Sequence, residues 1–541
     1  MIMQDKKRLS KVFFYIILSI PFLIFLLILR SYALNIPFED EHGILRSLYD
    51  MSLKNNIEEQ FNILILPCNE HSIVISKLFF GLHLWLFKTI NFKNLMFVGN
   101  LIFCTIFIFF FRLLKQHKIS VWALLPIPYI LLSAYIYENS LWAMCAFENN
   151  DVVVFLCWAI FLIFNTKPSN TKFYLGLFLL ACALICNGNG LLSFLVVGLG
   201  LAQQRRWQEL ITLMATLLVM KFIFLSGSQY KTPNPVMTTI SSFGILAGGF
   251  LKTNSFNSII RLIGFGIMLI IGGASVLYVF RRKKDVFELN IILLALFCLG
   301  TLFAVALFRD VSGSEFPDRY RLYPQLLLVC IYLLIIKQLP THANRIALFS
   351  TIFGIFYLLH SYYISFPSVI QGHQKRLLSS VNMAHNGSTL NGSFYRLYFD
   401  QTIDFYLKAN TYRFDFPIFD IKKAVVSNEQ IKVVAEETKQ GYVLYFKDID
   451  CKNVQKEKGY YISLETPDHR FYFLSAYHSR NSLKKLLVGS PYLANDFYGL
   501  IVHAEIPAET YKVGLVSTVG TTLKYYKTNT TISTHKVGYQ Q

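Results

Sequence analysis

The chain has 541 residues, of which 54% are hydrophobic and 16% aromatic, and its mean hydropathy is +0.45. These values exclude an ordinary soluble globular protein and predict several membrane spans. The formal net charge of +19 fits basic cytoplasmic loops and anionic lipid headgroups. No motif of a nucleic-acid-binding module is present, so the sequence predicts membrane lipids and no nucleic acid as partners.

The N-terminus is basic, and a long apolar run follows it at once. Lys6, Lys7, Arg8 and Lys11 precede or border residues 12–29. This run is too long for the apolar part of a signal peptide, and no small-residue cleavage site follows it. We therefore expect a retained first span with the N-terminus in the cytoplasm.

Apolar runs of spanning length recur along the first two thirds of the chain. A span needs roughly 20 apolar residues. This criterion predicts a transmembrane helical bundle of about eleven spans, near residues 12–29, 95–113, 119–137, 151–165, 172–187, 190–203, 209–225, 257–280, 289–308, 322–337 and 344–364. The run 73–90 is short and contains Lys77, His83 and Lys88, which favours a helix lying at the membrane surface.

The basic residues predict which loops face the cytoplasm. With the N-terminus inside, the short loops after the even-numbered spans all carry lysine or arginine, as cytoplasmic loops do. These loops lie near residues 112–118, 167–172, 205–206, 281–284 and 337–345. The first external loop then covers residues 30–94, and the acidic and amide-rich motifs all fall on the outer face of a multi-pass cell membrane protein.

The last part of the chain has a different pattern. Short alternating runs, rich in β-branched and aromatic residues, are separated by turn residues, which is typical of a small β-sandwich. The runs are 431–435, 442–447, 459–464, 470–476, 498–505, 511–517 and 521–526, and residues 479–489 are compatible with a helix. We therefore predict a membrane domain over residues 1–365 and an extracytoplasmic β-rich domain over residues 366–541.

Three consecutive carboxylates follow the first span. Glu39, Asp40 and Glu41 lie in the first external loop, where carboxylates must be hydrated, paired or bound to a ligand. One of them could act as a general base that takes the proton of an acceptor hydroxyl. The alternative is a hydrated acidic turn without a chemical role.

Amide and acidic residues recur in the other external loops as candidate acceptor- or sugar-binding groups. Each has a structural alternative, because Asn and Asp cap helices and Asn and Gly form tight turns. Capping is the alternative before 73–90 and before the span at 151, and a tight turn is the alternative at 187–190. The candidates are Asn69, Glu70, His71, Glu148, Asn149, Asn187 and Asn189.

Arginines occur near the last external loop before residue 322, against the positive-inside trend. A phosphate group explains such arginines, because guanidinium binds phosphate oxygens in a bidentate fork. The alternative is pairing with Asp310 or Asp318. The candidate phosphate-binding residues are Arg309, Arg319, Tyr320, Arg321 and, in another external loop, Lys231. No firm metal-ligand spacing occurs, so we predict no metal-binding residue, although the chemistry leaves room for a divalent cation.

These motifs resemble those of the GT-C superfamily of membrane glycosyltransferases. A bacterial branch of that superfamily has an Asp-Glu-Trp-like motif after the first span, then Asn-Glu-His-Arg, and later Arg-Tyr before a span. This chain has Asp40-Glu41-His42, Asn69-Glu70-His71-Ser72 and Arg319-Tyr320, and the resemblance covers residues 10–365. The chain departs from the pattern at His42 and Ser72, and Lys77 is a candidate to replace the expected arginine.

The resemblance implies a function. The donor would be a sugar on a polyprenyl phosphate such as undecaprenyl phosphate, and the acceptor a glycan or lipid outside the cytoplasm, as in cell-envelope polysaccharide biosynthesis. Asp40 would be the base of an inverting transfer, and Arg319 and Arg321 would hold the donor phosphate at the same site. A transporter or flippase of lipid-linked saccharides, or a polymerase of them, is the alternative.

Overall fold

The computed structural model describes residues 2–67, 72–165, 169–224, 232–252, 257–281, 284–311, 316–387, 390, 396–414, 419–447, 449–451, 453–503, 505–519 and 522–535. Residues 2–10 and 396–400 are described by their backbone alone. The chain divides into two compact units. The helical unit comprises Met1–Ser31, Asp50–Leu82 and Asn94–Ile364, and the β-rich unit comprises Tyr32–Tyr49, His83–Lys93 and Ser365–Gln541.

The protein is mainly helical. Short 3₁₀ segments and one π-helix, Ala146–Asn150, interrupt the α-helices. The α-helices are α1 (Ile2–Tyr32), α2 (Glu41–Ser52), α3 (Ile57–Ile65), α4 (Val74–Phe87), α5 (Phe92–Gln116), α6 (Pro126–Leu131), α7 (Tyr137–Leu141), α8 (Ala143–Cys145), α9 (Asp151–Phe164), α10 (Asn170–Cys186), α11 (Gly190–Gln203), α12 (Trp207–Phe224), α13 (Val236–Gly248), α14 (Asn257–Phe280), α15 (Val286–Phe308), α16 (Leu322–Gln338), α17 (Ala343–Asn386), α18 (Arg396–Lys408) and α19 (Leu483–Leu487).

Eight helices in the described part of the chain are long and apolar enough to cross a membrane. A ninth is added if the pair Val121–Leu131 and Ala134–Leu141, bent by 49°, counts as one broken span. The eight are Lys11–Tyr32, Phe92–Gln116, Ala143–Phe164, Trp207–Phe224, Asn257–Phe280, Val286–Phe308, Asp318–Gln338 and Pro340–Asn386. These helices are compatible with the predicted multi-pass membrane protein.

The predicted count of about eleven spans stays a prediction. The predicted spans 172–187 and 190–203 are α10 and α11, which are apolar but have only 17 and 14 residues. The run 73–90 contains α4, and the predicted external loop 226–256 contains a further apolar helix, α13, of 13 residues.

Two features of the helical unit suit a bundle in lipid. The outward side chains of α14 are apolar, with Leu262, Leu269 and Phe280 between 70% and 82% exposed, as a lipid-facing surface requires. α13 and α14 pack closely against each other at glycine residues. A Cβ atom at Gly264 would lie 1.9 Å from the carbonyl oxygen of Gly244, so only small residues permit this contact.

The predicted sheet-rich C-terminal region is confirmed. Strands overlap every predicted run, and α19 lies within the predicted helix 479–489. The strands are β1 (Val425–Ser427), β2 (Val433–Thr438), β3 (Gly441–Phe446), β4 (Tyr460–Glu465), β5 (Phe471–Ser475), β6 (Tyr477–Arg480), β7 (Leu493–Val502), β8 (Thr510–Ser517) and β9 (Lys524–Ser533).

These strands form two sheets around one core. One sheet has the order β1-β9-β8-β4-β5 and the other β2-β3-β7-β6, and all pairs are antiparallel except β1 with β9. Alternate side chains of both sheets meet in one apolar cluster that includes Phe446, Phe497, Ile462 and Leu515. This arrangement is a two-layer packing of sheets.

Candidate functional site

The acidic turn, residues 37–42, opens α2 in the β-rich unit. The backbone N–H of Phe38 donates to Oε2 of Glu41 at 2.8 Å, and the N–H of Glu41 donates to the carbonyl of Phe38 at 3.1 Å. The bond from Phe38 to the Glu41 carboxylate is one half of a capping box, and a backbone turn bond replaces the other half. Glu41 is fully buried, so its carboxylate holds the turn together, whereas Glu39 and Asp40 are half-exposed.

Two cations of α17 lie beside the acidic turn. Nζ of Lys375 is 3.7 Å from Oε1 of Glu39 and 5.2 Å from the centre of the Phe38 ring. The guanidinium carbon of Arg376 is 5.8 Å from the same ring centre, and Arg376 is 5% exposed. The turn therefore combines carboxylates with positive charge, as a site that exchanges a proton and binds a phosphate requires.

Buried hydrogen bonds fix the chain on both sides of the acidic turn. Asn35 donates through Nδ2 to the carbonyl of Arg413 at 3.0 Å and accepts from the N–H of Phe92 at 2.9 Å. Its own carbonyl accepts from the Tyr412 hydroxyl at 2.8 Å. Farther along, the Tyr406 hydroxyl donates to the carbonyl of Leu45 at 2.9 Å. This framework preorganises the half-exposed carboxylates.

Two buried histidines belong to the same unit. His42 is fully buried in α2, and burial lowers its pKa to about 3, so the ring is neutral at physiological pH. His373 is 1% exposed. Its Nδ1 lies 3.0 Å from the carbonyl of Tyr32, and its Nε2 lies 3.9 Å from Oε1 of Glu457. Both rings are buried inside the β-rich unit.

The arginine turn, residues 318–321, precedes α16 in the helical unit. The Arg321 side chain is hydrogen-bonded to protein acceptors. Its Nε donates to Oδ1 of Asp318 at 2.6 Å, and its Nη1 donates to the carbonyls of Gly249 and Leu251. Nζ of Lys252 lies 2.6 Å from the other oxygen of Asp318. The pairing that the sequence left open as an alternative is therefore the arrangement of Arg321.

Arg319 and Arg309 are placed differently. Their guanidinium carbons lie 5.4 and 5.8 Å from the centre of the Tyr320 ring, and that of Arg319 also lies 5.9 Å from the Trp142 ring. Both side chains are half-exposed. In the described part of the chain neither guanidinium forms an ion pair within 4.0 Å, but the Arg319 side chain hydrogen-bonds Tyr320 and interacts electrostatically with Glu138. Half-exposed arginines that lie over aromatic rings are suited to binding an anion.

The backbone of Arg319 is fixed by the broken helical segment 134–150. Its N–H donates to Oε2 of Glu138 at 2.9 Å, and its carbonyl accepts from Nδ2 of Asn139 at 3.0 Å. Asn149 reaches Oδ1 of the same Asn139 at 3.5 Å, and Glu148 is 7% exposed. Two of the predicted sugar-binding residues therefore belong to the segment that positions Arg319.

The capping interpretation of residues 148–151 is wrong. Asn150 has helical dihedral angles and makes no side-chain capping hydrogen bond to α9, because the π-helix continues directly into it. Asn150 and Asp151 are fully buried. Neither their amide nor their carboxylate atoms have a hydrogen-bond partner in the described part of the chain. Buried polar groups of this kind in a membrane bundle mark functional candidates.

The Asn-Gly-Asn-Gly hairpin forms the predicted tight turn, closed by the N–H of Gly190, which donates to the carbonyl of Asn187 at 2.8 Å. Asn189 has φ −71° and donates through Nδ2 to the Tyr323 hydroxyl at 2.8 Å and to Oγ1 of Thr301 at 3.4 Å. Gly190 is required for close packing, because a Cβ atom there would lie 2.0 Å from the carbonyl oxygen of Ala183. Asn187 ends α10 and is 9% exposed.

Several predicted residues lie outside the described part of the chain: Asn69, Glu70, His71 and Lys231. Lys77, the candidate to replace the arginine of the resembling motif, is 1% exposed. Its ammonium donates to the carbonyls of Ile63, Leu64 and Leu66, so it closes the C-terminus of α3. No group of three or more potential metal ligands occurs among the described residues.

Sequence reasoning did not select Lys375 and Arg376. The sequence nevertheless contained a sign of them. This basic pair falls in a segment predicted to lie outside the cytoplasm, against the positive-inside trend, and the same argument selected Arg319. Asp40 belongs to the β-rich unit and Arg319 to the helical unit, so their joint site stays a prediction. Comparisons with family models, curated proteins and solved structures found no match to this chain.

Proposed function

We propose that the chain is a multi-pass membrane glycosyltransferase of GT-C type. It moves a sugar from a polyprenyl phosphate to a glycan or lipid acceptor outside the cytoplasm, with inversion at the anomeric carbon. Asp40 is the base. In this reading the N-terminus is cytoplasmic, and the acidic turn and the β-rich unit lie on the outer side of the cell membrane.

The observation that supports this proposal most is the composition of the acidic turn. A transfer from a lipid phosphate needs a carboxylate that accepts a proton and cations that stabilise the leaving phosphate. Glu39 and Asp40 are half-exposed at the turn, and Lys375 and Arg376 contact its Phe38 ring. Glu41 is buried and bound to the backbone, so Asp40 and Glu39 are the carboxylates of the turn that are exposed to a substrate.

The reaction uses only groups of this chain and its two substrates. The Asp40 carboxylate takes the proton of an acceptor hydroxyl as the hydroxyl oxygen forms a bond to the anomeric carbon. The bond between that carbon and the donor phosphate oxygen breaks, and the electron pair leaves with polyprenyl phosphate. The phosphate gains negative charge in this step, and nearby lysine and arginine side chains stabilise it.

The test is sugar transfer by the full-length protein in nanodiscs. The donors are a panel of radiolabelled hexoses and pentoses on undecaprenyl phosphate, and the readout is the release of undecaprenyl phosphate. We expect Asp40→Asn to lower the rate about 10²- to 10⁴-fold, which is the usual contribution of a general base. Asp50→Asn, in the same helix α2, is the matched control and should keep the parental rate. An unchanged rate in Asp40→Asn would disprove the assignment of the base.

A second candidate is a transporter of lipid-linked saccharides. The observation that favours it is the broken helix pair Val121–Leu131 and Ala134–Leu141, followed by the buried Asn150 and Asp151, because discontinuous helices and buried acids are features of transporters. Undecaprenyl-linked sugar in proteoliposomes distinguishes the two functions. Movement of the sugar across the bilayer without release of undecaprenyl phosphate, lost in Asp151→Asn, would favour transport.

A further inference from the structure

The connection between β6 and β7, residues 481–490, projects an apolar tip from the β-rich unit. Leu483, Leu487 and Val488 are 57%, 87% and 78% exposed. Large exposed apolar side chains are common singly, but a contiguous exposed group marks an interaction surface. We call this segment the leucine turn.

The leucine turn is a built structure. The Ser482 side chain caps α19 by accepting from the N–H of Lys485, and the N–H of Ser490 donates back to the carbonyl of Lys485. Gly489 closes the helix with a φ of +87°, which favours glycine. At the base, Nδ2 of Asn481 donates to the carbonyls of Pro491 and Leu493. The tip therefore holds its apolar side chains outward at little cost in conformational entropy when it binds.

Two lysines accompany the apolar side chains. Lys484 and Lys485 lie between Leu483 and Leu487 on the same short helix, and both are exposed. Apolar side chains next to lysines fit the boundary between acyl chains and headgroups, where the apolar groups enter the lipid and the ammonium groups meet anionic phosphates. An apolar protein groove would cover the leucines but would leave the two exposed lysines without an anionic partner, which a bilayer of anionic lipid supplies.

We propose that the leucine turn anchors the β-rich unit to the surface of an anionic lipid bilayer. Leu483, Leu487 and Val488 insert at the headgroup boundary, and Lys484 and Lys485 bind lipid phosphates. The proposal rests on the presence of a membrane, for which the eight candidate spans are the support. It does not depend on the sugar-transfer reaction.

The test places a fluorescent probe on the tip of the full-length protein. Leu487→Cys is labelled with an environment-sensitive dye and reconstituted, one copy per nanodisc, in lipid containing phosphatidylglycerol and a nitroxide on the acyl chains. Val434→Cys, in β2, is the matched control because Val434 is also an exposed apolar residue, at 49%. The unsubstituted protein, carried through the same labelling, gives the background of the native cysteines.

We expect a blue-shifted emission at position 487 and quenching by the nitroxide lipid about twofold or more above that at position 434, as for a group at the acyl boundary. Lys484→Gln with Lys485→Gln should lower the ratio of bound to free tip about 25-fold, or about fivefold per lysine. Replacing phosphatidylglycerol by phosphatidylcholine should also lower the ratio of bound to free tip.

Three outcomes would overturn the proposal. Equal quenching at positions 487 and 434 would mean that the tip does not enter lipid. A blue shift without lipid quenching would mean that protein covers the tip. Strong quenching that is unaffected by either the lysine substitutions or the removal of anionic lipid would refute the proposed role of the lysines. A thermal unfolding curve of each variant shows whether the β-rich unit remains folded.

Discussion

The acidic turn and the arginine turn both contain clustered like charges. In each cluster one charged side chain is buried and bonded within the protein, and another is half-exposed. In the arginine turn, Arg321 is buried against Asp318, while the half-exposed Arg319 lies over aromatic rings and interacts more distantly with Glu138. In the acidic turn, Glu41 is buried and bound to the backbone of Phe38, while Asp40 is half-exposed.

The two turns differ in the partner of their buried charged residue, which is Arg321 in the arginine turn and Glu41 in the acidic turn. Arg321 is neutralised by a buried opposite charge, and Lys252 shares the same carboxylate. Glu41 accepts a backbone N–H and lies next to a buried, neutral His42. The arginine turn should therefore be sensitive to loss of a charge, and the acidic turn to the addition of one.

The largest expected effect is the loss of the buried acid of the arginine turn. Asp318→Asn leaves Arg321 and Lys252 without their partner, and breaking a buried pair costs about 3–5 kcal/mol. We expect a large fall in the thermal unfolding midpoint of the protein in detergent. Asp310→Asn, at an exposed acid in the preceding segment, is the control, because the asparagine oxygen can still accept from the Ser242 hydroxyl, and it should change the midpoint little. An equally small effect of Asp318→Asn would remove the distinction between Arg321 and Arg319.

The second prediction concerns the loss of stability at low pH that the buried His42 of the acidic turn causes. The unfolded chain protonates His42 below its ordinary pKa near 6.5, whereas the folded pKa is about 3. The unfolded state therefore binds the additional proton between these values, and stability falls as the pH is lowered through this window. His42→Gln should reduce this loss by roughly 1.4 kcal/mol per pH unit below 6.5. Unfolding in detergent at pH 7.5, 5.5 and 4.5 measures it, and parallel curves for parent and variant would contradict the buried, neutral ring.

The helices and strands were largely readable from the sequence, because periodicity and apolar length are local properties. The exceptions have local causes. The predicted span 119–137 is broken near Ser133, downstream of Pro126 and Pro128, and α13 is short and contains Thr239 and Ser242. The unpredicted strands β1 and β6 have only 3 and 4 residues, too few for an alternating pattern.

The division of roles inside each charged cluster was not readable from the sequence. Arg319 and Arg321 are two positions apart, and only the contacts of the latter with Asp318, Gly249 and Leu251 separate them. The partners of Phe38 on α17 are more than 330 positions away in the chain, so no local pattern links them. Burial and partner choice are properties of the packed chain.

The third prediction concerns the exposed member of the arginine turn. Arg319→Gln should weaken binding of undecaprenyl phosphate about tenfold, since it removes a charge-assisted hydrogen bond, and should cost less than about 1 kcal/mol of stability. Native mass spectrometry of the protein with undecaprenyl phosphate measures the affinity. Arg345→Gln, at an exposed arginine of α17, is the control. Equal affinities of both variants would exclude Arg319 from the phosphate site.

The smallest effect separates the two half-exposed carboxylates of the acidic turn. Glu39 has a left-handed backbone, with a φ of 45°, which is costly for residues other than glycine. Glu39→Gly relieves this conformation and removes an ion pair with Lys375 that is more than 40% exposed on both sides and is worth little. The unfolding free energy should therefore rise by about 0.5 kcal/mol or stay unchanged. If Asp40 is the base, sugar transfer by Glu39→Gly should stay within about threefold of the parent, because the proton acceptor remains. A loss comparable with that of Asp40→Asn, in a variant of parental stability, would move the base from Asp40 to Glu39 and make Lys375 its positioning residue.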